Sequence, residues 1–193
     1  MTIGVLALQG DYEAHQRALQ ELGVASRQVR AARDLAGLDG LILPGGESTT
    51  ILKLLAEEEG LEASLRSFAE EKPVFGTCAG AILMAHDVSS PAQRSFDLLD
   101  IDVERNAYGR QLDSFIGKIE PEPEFEQRTA PGALEAVFIR APIIRRVGPE
   151  VTVLARSAGH PALVEQGRLL AAAFHPELTK DRRVHQLFLA KVR

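Results

Sequence analysis

A lone cysteine, Cys78, stands at the centre of Gly76-Thr77-Cys78-Ala79-Gly80, between an apolar run ending in Val74-Phe75 and a second run, Ala81-Ile82-Leu83-Met84. This is the layout of a nucleophile elbow, in which a strand turns sharply at the reactive residue and enters a helix. Small flanking residues let backbone segments approach without a side-chain clash. The helix dipole favours thiolate, the reactive form, at the N-terminus of the following helix. An isolated cysteine is more often buried filler. The glycines and the strand-to-helix setting argue for a nucleophile instead.

Cysteine chemistry needs a base. Ala172-Ala173-Phe174-His175-Pro176-Glu177 sets a histidine and a carboxylate two residues apart, a spacing that places both on one face of an extended segment. Glu177 can then orient the His175 ring while its other nitrogen faces Cys78. Acyl chemistry also needs oxyanion donors. The apolar stretch Gly40-Leu41-Ile42-Leu43 runs into Pro44-Gly45-Gly46-Glu47-Ser48-Thr49, where Ser48 or Thr49 is expected to cap a helix. Backbone N–H groups of Gly45 and Gly46 could join that of Ala79 around an oxyanion, and loss of one such donor slows turnover by about 10²–10³.

The elements needed to position these groups follow from the hydrophobic pattern. Ile3 to Leu8, Ser26 to Val29, Leu41 to Leu43 and Val74 with Phe75 read as strands. Asp11 to Leu22 and Thr49 to Glu71 read as helices between them. Such alternation predicts an α/β fold with a mostly parallel sheet flanked by helices, whose site lies at the carboxyl ends of the strands. Gln9-Gly10, Gly45-Gly46 and Cys78 all fall there. After about Asp100 the pattern turns β-rich, with runs at Asp113 to Ile119, Ala136 to Ile139, Val151 to Ala155, Ala162 to Val164 and Leu169 to Phe174. Glu120 to Pro131 reads as an exposed loop. Lys180 to Val192 reads as a closing helix offering Leu187, Phe188 and Val192 to the core.

Composition excludes several classes. The chain has 193 residues, 45% of them hydrophobic, which suits one domain over residues 1–193. Net charge is −5 and the 22 basic residues are scattered, so no nucleic-acid partner is expected. No apolar stretch reaches the roughly 20 residues of a membrane span, and no signal-peptide pattern precedes Ile3. A cytoplasmic location follows, and one cysteine permits no internal disulfide. The histidines lack metal-ligand spacing, so no metal is expected. His15 and His185 read as solvated or hydrogen-bonded residues of helices, and His86 as a helix-end residue. The Gly45-Gly46 segment lacks the lysine and glycine spacing of a phosphate loop.

With these motifs in place the chain resembles the class I (triad) glutamine amidotransferases, three-layer flavodoxin-like domains, and among them the glutaminase subunits of pyridoxal phosphate synthases. The resemblance runs along nearly the whole chain. It is carried by Gly4-Val5-Leu6-Ala7-Leu8-Gln9-Gly10, Leu43 to Thr49, Gly76 to Gly80, Val103-Glu104-Arg105-Asn106-Ala107-Tyr108-Gly109-Arg110-Gln111, Phe138-Ile139-Arg140-Ala141-Pro142 and Phe174 to Thr179. The elbow and the His-x-Glu pair mark the broad class; the segments around Arg105 and Arg140 mark the branch. Only Ala107 and Tyr108 are mild variations.

The resemblance implies that Cys78 is the nucleophile, His175 the general base and acid, and Glu177 its orienter. It implies contacts to L-glutamine from Gly46, Glu47, Ser48, Arg105, Ile139 and Arg140, a set that suits a zwitterion needing both an anion and a cation. It further implies a (β/α)8-barrel synthase subunit as partner and consumer of the ammonia, with no cofactor on this chain. Gln9 and Gly10 are expected to take part in partner-dependent activation. An amidotransferase subunit of another pathway, such as imidazole glycerol phosphate synthesis, shares the chemistry, but the Arg105 and Phe138 segments argue against it. The peptidase and chaperone branch commonly has histidine directly after the cysteine, where this chain has Ala79. A non-catalytic subunit of the same fold would be free to lose triad residues, and all three are present.

Overall fold

The computed structural model describes residues 1–106 and 114–193. In chain order the strands are β1 (Thr2–Leu6), β2 (Ala25–Val29), β3 (Gly40–Leu43), β4 (Val74–Thr77), β5 (Ala85–Ser89), β6 (Leu99–Glu104), β7 (Ser114–Pro121), β8 (Leu134–Ile139), β9 (Ile143–Val147), β10 (Thr152–Ser157), β11 (His160–Gln166) and β12 (Leu169–Ala172). The α-helices are α1 (Tyr12–Glu21), α2 (Ser48–Glu57), α3 (Leu61–Glu71), α4 (Ala79–Met84), α5 (Pro123–Arg128) and α6 (Arg183–Val192).

A nine-stranded sheet runs in the order β2-β1-β3-β4-β12-β11-β10-β7-β8. Its half from β2 to β12 is parallel, and the half from β12 to β8 is antiparallel. The sheet is therefore an even mixture, with the expected parallel part carrying β3, β4 and the chain that leads to His175. A small sheet, β5-β6-β9, packs beside it.

The central strands β3, β4 and β12 are buried at every residue, which explains why their sequences are continuous apolar runs rather than alternating ones. Successive side chains still point to opposite faces. Ile42, Phe75 and Leu170 join Leu19, Leu187 and Phe188 on the face covered by α1 and α6. Leu41, Val74 and Ala171 join Ile51, Leu65 and Leu83 on the face covered by α2, α3 and α4. Three layers result, and the strand ends between them form the site.

Several sequence expectations need correction. The helical stretch from Thr49 to Glu71 breaks into α2 and α3 at Gly60, whose φ of 73° is in the region glycine tolerates best. Glu120 to Pro131 is not a plain exposed loop: it contains α5, which starts on Pro123 and buries Phe125 completely. The prolines and glutamates masked a single core anchor. His86 lies in β5 rather than at a helix end, with Nδ1 2.7 Å from Asp97 Oδ1. The run expected from Leu169 to Phe174 ends as a strand at Ala172. Asp113 and residues 107–111, including the variations at Ala107 and Tyr108, lie outside the described residues. Among the described residues no helix is long and apolar enough to cross a membrane.

Candidate active site

The turn after β4 is strained in a specific way. Cys78 has φ 46° and ψ −102°, a positive φ on a residue with a side chain. Such a conformation costs of order 1–3 kcal/mol and persists only where the surroundings over-determine it. Here they do. The Cys78 N–H donates to Ala172 O at 2.8 Å, and the Cys78 carbonyl accepts from Ile82 N–H at 3.1 Å to open α4. Any Cβ at Gly76 would come within 2.7 Å of Gly80 backbone, and one at Gly80 within 2.0 Å of Leu43 O. Both glycines are thus demanded by close approach, and Ala79 is the first residue of the helix.

His175 follows β12 and is fixed by its own N–H, which donates to Val137 O of β8 at 2.8 Å. Its Nδ1 lies 2.8 Å from Glu177 Oε1, and its ring lines the same cavity as Cys78. Burial works against a charged ring, but the bonds and charges of Cys78 and Glu177 outweigh it and hold His175 raised to about 10. The imidazolium is therefore the form this environment stabilises. Burial pushes the Glu177 carboxyl upward, and the His175 contact pulls it back. Cys78, His175 and Glu177 are all buried. The Cys78 thiol also faces Ile139 O at 3.9 Å.

The Gly45-Gly46 turn lies against both the triad and the Gln9-Gly10 turn. A Cβ on Gly45 would sit 2.2 Å from His175 Cε1. Its carbonyl accepts from the Asp11 N–H at 3.0 Å, and Gln9 Oε1 accepts from the Glu47 N–H at 2.8 Å. Gly10, with φ 99°, has no room for a side chain because a Cβ would meet Gly45 O at 1.9 Å. Gln9 and Gly10 therefore pack directly against the turn that carries Gly46.

Glu47, rather than Ser48 or Thr49, caps α2: its carboxylate accepts from the N–H groups of Thr49 and Thr50 and from both threonine hydroxyls. Desolvation raises its pKa, yet these bonds win and bring it down to about 2. Ser48, inside the helix, donates to Gln93 Oε1 at 2.9 Å. Arg105, mostly buried, reaches Glu47 Oε1 at 3.3 Å.

A cavity of about 210 Å³ joins these groups. Cys78 and His175 line it together with Gly46, Glu47, Ser48, Arg105, Ile139 and Arg140. Every residue expected to meet glutamine is thus in one cleft with Cys78. Gln9 lines it as well, whereas Gly45, Gly10 and Ala79 are not among its lining residues. Ile82, Asn106 and Asp11 complete the lining and were not anticipated. Asp11 Oδ2 stands 3.5 Å from His175 Nδ1, and Asp11, His175 and Glu177 bring ligand-type atoms within 4.8 Å of one another. The position of Asp11 directly after Gln9-Gly10, at the start of α1, was the available signal.

A cysteine on a strained strand-to-helix elbow, a histidine facing it and a buried glutamate behind the histidine define the triad amidotransferase class on a three-layer α/β scaffold. Comparison with known proteins narrows the class. The description "SNO glutamine amidotransferase family" fits residues 5–193, and the chain belongs to that family. Its relatives include the pyridoxal 5'-phosphate synthase subunit PdxT of Solibacter usitatus, 61% identical over 190 residues and covering 98% of each chain. The protein of that name from Deinococcus radiodurans is 52% identical over 195 residues, with 98% of this chain and 96% of the relative covered. A crystal structure described as a glutamine amidotransferase superposes with a TM-score of 0.89 at 48% identity, covering 98% of both chains. PurLQS from Thermotoga maritima, at 18% identity and a TM-score of 0.72 with 100% and 98% coverage, shares the fold.

Proposed function

We infer that this chain is the glutaminase subunit of a pyridoxal 5'-phosphate synthase, hydrolysing L-glutamine to L-glutamate and ammonia for vitamin B6 biosynthesis. The observation that carries the reading is that Cys78 and His175, the latter bonded to buried Glu177, line the same cleft as Glu47, Arg105 and Arg140. The relatives' shared name, a synthase subunit, supports the pathway.

Cys78 attacks the side-chain amide carbon of glutamine, forming a C–S bond, while the carbonyl oxygen takes the negative charge. The N–H groups of Gly46 and Ala79, with the Gly45 turn behind them, receive that oxyanion. His175 gives its proton to the departing nitrogen, the C–N bond breaks, and ammonia leaves a γ-glutamyl thioester. Water, deprotonated by the now neutral His175, attacks the thioester and releases glutamate. Glu177 keeps Nδ1 protonated and the ring aimed throughout.

Recognition of the zwitterion falls to the Glu47–Arg105 pair and to Arg140. The ammonium is drawn to Glu47 and the carboxylate to the arginines, so glutamine inserts into an ion pair rather than facing bare charges. Ser48 and Ile139 bound the extended side chain. All of this operates within one domain and calls for no cofactor on this chain.

Ammonia passes to a (β/α)8-barrel synthase subunit in the cytoplasm, and docking switches the glutaminase on by setting the Gly45-Gly46 peptide through Gln9 and Gly10. The test is glutamine hydrolysis by the purified chain with and without that subunit, alongside the size of any complex. Activity that appears or rises in a stable complex supports the reading; no hydrolysis in either state ends it.

A further inference from the structure

Behind the triad lies a buried group that the reaction steps above do not use. His15 of α1 and His185 of α6 are fully buried, with His15 Nδ1 3.1 Å from His185 Nε2. His15 Nε2 sits 3.1 Å from Thr77 Oγ1 and 3.5 Å from Glu177 Oε2. Among the described residues, Glu177 Oε2 itself is buried without a hydrogen-bond partner, and so is His185 Nδ1.

These orphaned atoms decide where the protons are. Burial, reinforced by neighbouring positive groups, lowers both histidines, His185 to about 3, so both rings are neutral and each carries one proton. If His15 were protonated on Nδ1, it would donate to His185 Nε2. His185 would then hold an N–H on Nδ1 with no acceptor among the described residues, and His15 Nε2, able to accept only from the Thr77 hydroxyl, would turn its lone pair toward the Glu177 carboxylate oxygen. Both arrangements are costly in a buried site. With the protons on the Nε2 atoms, His185 donates to His15 Nδ1, His15 donates toward Thr77 and Glu177, and His185 Nδ1 keeps only an unused lone pair.

We propose that His15 is a positioning residue of the triad, its Nε2–H directed at Glu177 Oε2 and its tautomer set by His185. The carboxylate is then held on Oε1 by His175 and approached on Oε2 by His15. The contact of 3.5 Å is long for a resting bond, as catalytic bonds often are before substrate binds. His15 acts through Glu177 on the aim and proton affinity of His175. It rests on the triad but not on the identity of the substrate.

Other charged groups near the pair are Asp11 at the start of α1, His175 on the same turn as Glu177, and Arg182 and Glu21 beside His185. None of these offers Oε2 a hydrogen bond.

The test uses two amides of different reach. In His15→Gln the amide nitrogen occupies the place of Nε2 and can still donate to Glu177. In His15→Asn it reaches only the place of Nδ1. The first readout is the rate of Cys78 alkylation by iodoacetamide from about pH 5 to 9, normalised to folded protein by circular dichroism. Without its donor Glu177 is protonated more easily, so the acid limb of His15→Asn should move up by roughly one pH unit, equivalent to a tenfold change in affinity for the proton. His15→Gln should overlay wild type.

In the complex with the synthase subunit, His15→Asn should lose roughly tenfold in kcat with little change in KM, and His15→Gln should recover most of it. Superimposable alkylation profiles for wild type and His15→Asn, or equal impairment by Asn and Gln, would overturn the proposal in favour of simple packing. Because alkylation needs no glutamine, a shifted profile in a chain that fails to hydrolyse glutamine would uphold His15 and reject only the proposed substrate. Should His15→Asn fold poorly, His185→Asn, which removes the donor that sets the tautomer, should give the same upward shift of the acid limb; an unshifted profile there would also overturn the proposal.

Discussion

Gly45→Ala probes the site through geometry alone. Gly45 does not have a positive φ, so the backbone accepts alanine, and the whole effect must come from the added carbon. That carbon would lie 2.2 Å from His175 Cε1 and 2.8 Å from Nδ1. Normal carbon–carbon separation is about 3.5–4.0 Å, so the ring must withdraw by more than about 1 Å. It cannot do so freely, because His175 is buried and its N–H is tied to Val137 O. Withdrawal breaks the 2.8 Å bond to Glu177 or the contact with Cys78. Overpacking of this kind costs about 1–3 kcal/mol of stability. A misplacement of about 1 Å in a reacting group costs on the order of 10² in rate. The assay is glutamine hydrolysis at saturating substrate, with thermal denaturation in parallel. Gly117→Ala is the control, since its added carbon meets Phe115 at an ordinary 3.4 Å. A Gly45→Ala protein that folds and turns over within about twofold of wild type would refute the placement of His175 against this turn.

Three further outcomes follow from the same geometry. His175→Asn should be nearly inactive, and Glu177→Gln should lose turnover with little change in the Michaelis constant, since it disturbs the ring and not glutamine; steady-state kinetics separate the two, and a change confined to the Michaelis constant would move Glu177 to substrate binding. Glu47→Ala removes the α2 cap and should lower stability by about 1 kcal/mol while raising the Michaelis constant for glutamine; denaturant titration and kinetics check both, and an unchanged Michaelis constant would separate Glu47 from the substrate. Gln9→Ala removes the acceptor of the Glu47 N–H and should weaken activation by the synthase subunit more than folding, measured as the ratio of turnover with and without that subunit; an unaltered ratio would discard the proposed role of Gln9.

The residues gathered at the candidate site were more legible in the sequence than the architecture that gathers them. Cys78 announced itself because an elbow needs glycines at fixed offsets, and Gly76 and Gly80 are there to admit Gly80 and Leu43 backbone. His175 and Glu177 were readable as a close pair, but not for the reason the spacing suggested: Pro176–Leu178 is a short 3-10 helix rather than an extended segment, and the His175 ring at its start meets Glu177 across that turn. The antiparallel half of the sheet gave only a succession of short β-rich runs, whose pairing depends on non-local contacts that local patterns do not encode. The α5 helix hid because its one buried residue, Phe125, is flanked by proline and glutamates. His15 hid for a different reason: a histidine on an amphipathic helix reads the same whether it meets solvent or a buried carboxylate, and only the arrival of Thr77, Glu177 and His185 from distant segments distinguishes the two.

The most direct test of the central claim is ammonia and glutamate release by the complex assembled with wild-type chain or with Cys78→Ala. The replacement removes the sulfur without adding bulk at a buried position, so folding and docking should persist. Wild type should release ammonia and glutamate in equal amounts, Cys78→Ala should release neither, and a glutamine-mimicking electrophile should label wild type once and the variant not at all. Near-normal release by Cys78→Ala would contradict a cysteine-based glutaminase.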